Sequence, residues 1–334
     1  MGQSLAVKVR PQSWAEVIGQ GPIISILSKQ IATKSFKNSY LFSGPSGCGK
    51  TTVARLFSKN VNNGEGEPIE IDAASNNGID SIRAIINDSQ QVPIDCDYKV
   101  YIIDECHQLT KAAWDSALKL IEEPPMHAIF IFCTTNPLKV PETILSRVQR
   151  FDFKRVSRID ITDRLEFICN EDLHCEYERG ALERIAALSE GLVREAISKM
   201  ETVLDYSNKL TISSVYAALG VTRNEHLINL INSLVTKDEN QFLVTLDALK
   251  SSTTDMCVVY HNLLETAIDY SIYCKLGDIE YTSIPSDCTS LLDRTYESKL
   301  YLIVERLMRF VSHINDKNVE AFLKVISLEM LKEQ

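Results

Sequence analysis

Up to about residue 155 the apolar positions follow two rhythms. Short strand-like segments occur at 40–42, 69–71, 99–103, 129–133 and 151–153, separated by stretches with apolar residues three and four apart. Runs without alternation suit strands buried on both faces, so the pattern predicts a parallel α/β sheet with flanking helices. Segments 51–60 and 111–123 read as two of those helices. In the second, Trp114, Ala117, Leu118 and Ile121 make one stripe, Thr110 is placed to cap the N-terminus, and Pro124-Pro125 stops the helix. From about residue 157 the strand signal fades. Residues 158–220 predict several short helices, including 179–189 and 193–206. Residues 223–334 are helical almost throughout, with stripes such as Leu227, Ile228, Leu230, Ile231 and Leu300, Ile303, Val304, Leu307 that suit core or subunit packing. The expected class is therefore α/β followed by all-α, divided at 1–156, 157–220 and 221–334. Neither a repeat nor a low-complexity linker interrupts it.

One turn in this pattern carries chemistry. After the strand-like Tyr40-Leu41-Phe42 comes Gly44-Pro45-Ser46-Gly47-Cys48-Gly49-Lys50-Thr51-Thr52, and then a helix. The spacing is that of a phosphate-binding loop, and its ligand is a nucleoside triphosphate. The glycines let successive backbone N–H groups point at phosphate oxygens. Lys50 would reach the β- and γ-phosphates as a mobile point charge, and Thr51 would give its hydroxyl to Mg²⁺. The following helix aims its positive N-terminus at the anion.

A second signal lies some fifty residues on, where the apolar run Val100-Tyr101-Ile102-Ile103 ends in Asp104-Glu105. Asp104 would hold Mg²⁺ and Glu105 would polarise an attacking water, the division of labour that phosphoryl transfer to water needs. Thr135, just past the run 129–133, is a polar side chain at a strand end beside these acids and suits orienting a water. Arg147, after Ser146, and Arg194, in Gly191-Leu192-Val193-Arg194 at a helix start, are candidates to reach a γ-phosphate in cis or from a neighbour.

Composition narrows the class further. The chain has 334 residues, 45% hydrophobic and 24% charged, as an ordinary globular protein of two or three domains would. No apolar run is long enough to span a membrane, and the N-terminus has no signal-peptide pattern. Met1-Gly2 opens like a myristoylation signal, but Ala6 stands where Ser or Thr is needed. A cytoplasmic location is expected. The nine cysteines form no C-x-x-C, and Cys169 and Cys175 flank His174 at the wrong spacing for zinc, so reduced thiols are expected. A net charge of −10 argues against a non-specific nucleic-acid coat. It leaves room for a local basic patch, since the first fifty residues carry six Lys/Arg against one Glu.

Together these residues resemble an AAA+ ATPase, and closely the bacterial DNA polymerase III gamma/tau subunits, the motors of sliding-clamp loaders. The likeness runs from about residue 5 to 220. It is carried by Arg10-Pro11, Val17-Ile18-Gly19-Gln20, Glu70-Ile71-Asp72-Ala73-Ala74-Ser75-Asn76-Asn77-Gly78, Lys99 to Glu105, His107, Glu122-Glu123-Pro124-Pro125, Thr143 to Arg147, Gln149 to Lys154, and Gly191 to Ala196, in that order. It implies an AAA+ core, a small helical lid and a C-terminal helical collar that holds a ring of subunits together. It implies that Thr135 is the sensor-1 residue, Arg147 the arginine finger on a neighbour's ATP, and Arg194 sensor 2. Arg10, Pro11, Val17 and Ile18 would frame the adenine. Ser75, Asn76, Arg83, Thr110 and Lys111 would face primer-template DNA, where a helix N-terminus suits a phosphate whatever the base. Val92, Pro93 and Ile94 would touch the clamp. The implied partners are the clamp, the other loader subunits of a pentameric-type ring and primed DNA, with no membrane; the implied cofactors are ATP and Mg²⁺.

The chain departs from the family pattern in places. Where a four-cysteine zinc module is usual, residues 61–68 carry no cysteine, so no structural zinc is expected. Val148 and Val9 replace a usual cysteine and a common aromatic. The chain ends near the collar, without the extension by which the tau form contacts polymerase and helicase; a short gamma form and a virus- or plasmid-encoded loader both fit. Asp104-Glu105-Cys106-His107 also spells a helicase-type DECH box, but a second α/β domain is not indicated. A ring subunit that does not hydrolyse ATP is a further alternative, opposed by the presence of Lys50, Thr51, Asp104, Glu105 and Arg147 together. Polymerase activity is not expected.

Overall fold

A computed structural model describes residues 3–220, 222–252, 255–315 and 317–332. The Met1-Gly2 start weighed above lies outside them. The chain divides into two compact units, residues 1–175 with 185–201, and 176–184 with 202–334.

In the first unit, strands β1 (Ser39–Ser43), β2 (Ile69–Asp72), β3 (Lys99–Asp104), β4 (Ala128–Thr134) and β5 (Gln149–Asp152) form one sheet in the order β2-β3-β4-β1-β5. Every pairing is parallel. Helices α1 (Leu5–Lys8), α2 (Gly21–Ala32), α3 (Lys50–Val61), α4 (Ile79–Ser89), α5 (Lys111–Glu122), α6 (Glu142–Leu145) and α7 (Arg158–Phe167) belong to this unit. The central strands β1, β3 and β4 are buried along nearly their whole length, as unbroken apolar runs require. One core lies on each face of the sheet. Phe42, Val53, Phe57, Ile102 and Ile131 pack together on the α2–α3 side, and Leu41, Tyr101, Trp114, Ile121 and Phe130 on the α4–α5 side.

The expectation of burial on both faces fails for β2 and β5. Ile69 of β2 is 37% exposed, and β5 buries only Phe151. Both lie at the sheet edges, where each strand has a single neighbour. Thr110 does cap α5, its hydroxyl accepting from Ala113 N–H at 3.2 Å. The buried stripe of that helix runs through Leu120 rather than Leu118, which is only partly covered.

At the C-terminal end of α4 a polar cluster ties the helix to the sheet. Tyr101 Oη donates to Asp88 Oδ2 at 2.6 Å, and Lys99 Nζ donates to the Asp88 carbonyl and carboxylate at 2.9 and 3.0 Å. These donors hold the Asp88 carboxyl below its usual range, while burial and the Asp88 charge push the Tyr101 phenol up. The stabilising contribution of Asp88 is therefore present above the ordinary carboxylate pKa of about 4 and is lost as pH falls through the lower folded value. Tyr101→Phe is expected to lower stability by about 1–2 kcal/mol at neutral pH, measured by denaturant unfolding.

In the second unit, two short strands, β6 (Glu176–Tyr177) and β7 (Lys209–Leu210), pair in parallel, a contact the fading strand signal did not disclose. Helices α8 (Arg179–Leu188) and α9 (Val193–Tyr206) straddle the boundary between the units. Helix α10 (Ile212–Leu219) begins with a reciprocal capping box between Thr211 and Ser214. Helices α11 (Asn224–Thr236), α12 (Glu239–Ser252), α13 (Met256–Leu276), α14 (Glu297–Phe310) and α15 (Val319–Lys332) share one core through Leu227, Ile231, Leu263, Leu300, Ile303 and Leu307. No helix among the described residues is long and apolar enough to cross a membrane.

Candidate active site

The loop 44–49 joins the C-terminal end of β1, between β4 and β5 in the sheet, to α3. Two of its glycines are there for space as well as backbone. Gly44 has φ +150°, and a Cβ on it would lie 2.5 Å from the Phe153 carbonyl oxygen. Gly47 has φ +75° and faces the Arg194 backbone, whose N–H donates to the Gly47 carbonyl at 3.3 Å. Gly44→Ala is expected to cost about 1–3 kcal/mol of stability, read as a lowered Tm, because neither the backbone angle nor the carbonyl can give way cheaply.

Lys50 is 6% exposed, and its Nζ donates to the carbonyls of Gly44 and Pro45 at 2.8 Å each. The ammonium is thus folded over the loop that it would share with a phosphate. Thr51 Oγ1 donates to Asp104 Oδ2 at 2.9 Å. This pair of hard oxygen donors, one on the phosphate-loop helix and one at the end of β3, fits Mg²⁺. That ion takes one or two protein oxygens and completes its shell with phosphate and water. Among the described residues no group of three or more His, Cys, Asp or Glu is placed to hold a metal, and the nine cysteines are free thiols.

Glu105 sits in the left-handed region at φ +47°, its N–H donating to Asp104 Oδ1 at 2.9 Å. This turn swings its carboxylate away from that of Asp104 and toward β4. There Thr135 Oγ1 donates to Glu105 Oε2 at 3.0 Å. His107 Nδ1 lies 3.2 Å from the same oxygen and 3.1 Å from Thr134 Oγ1. Gln108 Nε2 lies 3.2 Å from His107 Nε2. His107 thus bridges Gln108 on one ring nitrogen and Glu105 and Thr134 on the other. Sequence reasoning had His107 only as part of the family likeness; its role in holding Glu105 depends on β3 and β4 being neighbours. Behind the acids, burial pushes the thiols of Cys106 and Cys133 well up, so both stay protonated.

One cavity collects most of the expected residues. Ser46 to Thr52, Asp104, Glu105 and Arg194 line it, as do Arg10, Pro11, Val17 and Ile18. Burial, with the nearby Arg55 and Arg194 charges, pulls the Arg10 pKa below its ordinary value, and Glu70 opposes the shift. Arg164, Glu16 and Ile197 line the cavity too. No local motif marks them, since each acts across a long sequence separation. Thr135 lies beyond the cavity wall and reaches it through Glu105.

Arg147 lies outside this cavity. It is 40% exposed, with Nε and Nη2 both 2.8 Å from Glu122 Oε1 and Nη1 2.8 Å from the Thr143 carbonyl. Ser75, Asn76 and Arg83 are exposed; Ser75 and Asn76 fold back on Asp72, and Arg83 lies 3.6 Å from Asp80. Thr110 N–H donates to the Asn77 carbonyl at 3.1 Å, which joins this turn to the start of α5, where Lys111 is exposed. Val92 and Ile94 stand 72% and 96% exposed on the loop after α4, with Pro93 half-buried between them.

Known proteins resemble this chain. The family model described as DNA polymerase III, delta subunit, matches residues 67–157. The DNA polymerase III subunit tau of Bacillus subtilis is 37% identical over 91% of this chain and 59% of its own length. The subunit gamma of Buchnera aphidicola subsp. Schizaphis graminum is 32% identical, over 74% of each chain. The chain belongs to the DNA polymerase III gamma/tau subunit family. It covers 74% of the Buchnera gamma subunit but about 59% of the Bacillus tau subunit and 40% of that of Escherichia coli. Among solved structures, the Thermotoga maritima RuvB Holliday junction branch migration motor superposes with a TM-score of 0.54 at 21% identity, covering 68% of this chain and 79% of that one. That likeness concerns the fold alone, a parallel sheet with flanking helices.

Proposed function

We propose that this chain is the ATPase motor subunit of a sliding-clamp loader of the DNA polymerase III type, working in the cytoplasm. The observation that carries the reading is the convergence of Lys50, Thr51, Asp104, Glu105 and Arg194 on one cavity. In this reading Lys50 leaves the Gly44 and Pro45 carbonyls for the β- and γ-phosphates of ATP. Thr51 and Asp104 would hold Mg²⁺, which would supply charge neutralisation on the phosphate oxygens. Glu105 orients a water and accepts its proton as the water attacks the γ-phosphorus, and ADP leaves. Thr135 and His107 hold the Glu105 carboxylate in reach of that water. Arg194 stabilises charge on the subunit's own nucleotide, and Arg147 does so on the neighbour's, which its place outside its own cavity supports.

Residues 157–220 would act as the lid and 221–334 as the collar of a ring with the other loader subunits. Ser75, Asn76, Arg83, Thr110 and Lys111 would face primer-template DNA, and Val92, Pro93 and Ile94 the clamp. ATP binding would close the ring on the clamp, and hydrolysis on primed DNA would release it.

Steady-state ATP hydrolysis by the purified chain tests this, with candidate ring partners, clamp and primed DNA added singly and together. Strong stimulation by clamp and primed DNA together is expected. Turnover driven by DNA alone and indifferent to the clamp would sink the loader reading in favour of another DNA-dependent motor.

A further inference from the structure

The N-terminal segment is pinned at both ends by side chains from far along the chain. Leu5 N–H donates to Glu201 Oε1 at 2.8 Å, and Arg164 Nη2 donates to the Val9 carbonyl at 2.9 Å across 155 residues. Helix α1 between these pins has four residues, too few to hold its own shape in water. Its placement therefore depends on outside contacts. Arg164 is built for the task. Its side chain is only 7% exposed, it lies 3.8 Å from Glu16, and its guanidinium stacks 5.0 Å from the Phe167 ring centre. Burial lowers its pKa, with Glu16 and Asp172 opposing, yet an arginine so placed stays charged. A charge this deep is costly unless it has a fixed partner, and the Val9 carbonyl is the one it donates to.

The pinned segment is one wall of the cavity. Ala6 and Val9 line it together with Pro11, Val17, Ile18 and Ile197, and so do the charged Arg10, Glu16 and Arg164. Apolar side chains in the same cavity as a phosphate loop suit a purine ring. We infer that Arg164 and Glu201 are positioning residues for the nucleobase, fixing residues 5–9 as the wall against which the base packs. Neither side chain is assigned to the phosphates or to the attacking water. The inference rests on the nucleotide site proposed above, and it deepens that reading by separating the groups that hold the base from those that hold the triphosphate.

The test compares the binding of Mg-ATP with that of Mg-tripolyphosphate, which has the phosphates but no base, in the full chain and in the variants Arg164→Met, Arg164→Lys and Glu201→Ala. Losing a charge-assisted bond to a buried carbonyl should weaken ATP about tenfold or more in Arg164→Met. A similar loss is expected in Glu201→Ala. Tripolyphosphate affinity should stay within about twofold of the parent chain in both, and Arg164→Lys should recover part of the ATP affinity, because its ammonium can still donate to Val9. Equal weakening of ATP and tripolyphosphate would overturn the inference, since that is what general damage to the fold does. Unchanged ATP affinity in both Arg164→Met and Glu201→Ala would overturn it as well. Should Arg164→Met fail to fold, Glu201→Ala decides, because it removes a half-buried side chain at the other pin. A parent chain that binds tripolyphosphate as tightly as ATP has no base site, which refutes this inference and leaves the phosphate site standing. One that binds neither ligand refutes the nucleotide reading itself.

Discussion

Lys50→Ala should abolish ATP binding at concentrations that saturate the parent chain, a loss of about 100-fold or more in affinity, and with it all hydrolysis. The ammonium is the one cation folded into the loop, donating to two of its carbonyls at 2.8 Å. Charge-assisted bonds to phosphate in a partly desolvated loop are strong, and alanine offers no replacement donor. The stability of the chain should change little or rise, because the variant removes a buried charge whose partners are carbonyls of an otherwise anion-seeking loop. Equilibrium titration with a fluorescent ATP analogue, alongside thermal unfolding, separates the two quantities. Near-parental affinity with an intact fold would mean that the triphosphate does not lie on this loop.

Arg147→Ala should produce the opposite split. Binding of ATP to the variant should match the parent chain, because Arg147 is outside its own cavity and bonded to Glu122 and the Thr143 carbonyl. Hydrolysis in the assembled ring should fall by roughly 10³ or more, the scale on which a trans-acting arginine contributes to phosphoryl transfer. The Glu122 contact is an exposed pair worth little by itself, so it can release the guanidinium to a neighbour at small cost. Mixed assemblies sharpen the measurement: parent chains placed where their neighbour carries Arg147→Ala should lose turnover while keeping their nucleotide. Normal turnover by an all-variant ring would rule out a finger acting in trans.

What could be read from the chain before its structure divides along physical lines. The phosphate loop was legible because its chemistry needs contiguous residues, and no other common element places glycines and Lys50-Thr51 at that spacing. Asp104 and Glu105 were legible because an apolar strand ending in acids is also local. The central strands followed from unbroken apolar runs. The exposure of β2 and β5 was missed when all five segments were read as buried on both faces, although Glu70 and Asp72 on β2 and Arg150 and Asp152 on β5 alternate with apolar residues as half-buried strands do. Nor could sequence reveal that His107 and Thr135 meet at one oxygen of Glu105, a contact created by pairing β3 with β4. Arg164 was the least visible. It lies on α7, and its significance comes from a carbonyl 155 residues away.

The two ends of the sheet have a consequence for how this protein keeps company. Open strand edges are templates for unwanted pairing with other chains. Here both edge strands are only four residues long and studded with charge: Glu70 and Asp72 on β2, Arg150 and Asp152 on β5. Glu70 is paired with Arg55, and Arg150 with Asp152 at 2.8 Å. Copies of this chain at high local concentration are thereby discouraged from joining sheet to sheet. Association is left to faces where the backbone is already satisfied, and aggregation through extended sheets is disfavoured even when subunits crowd together.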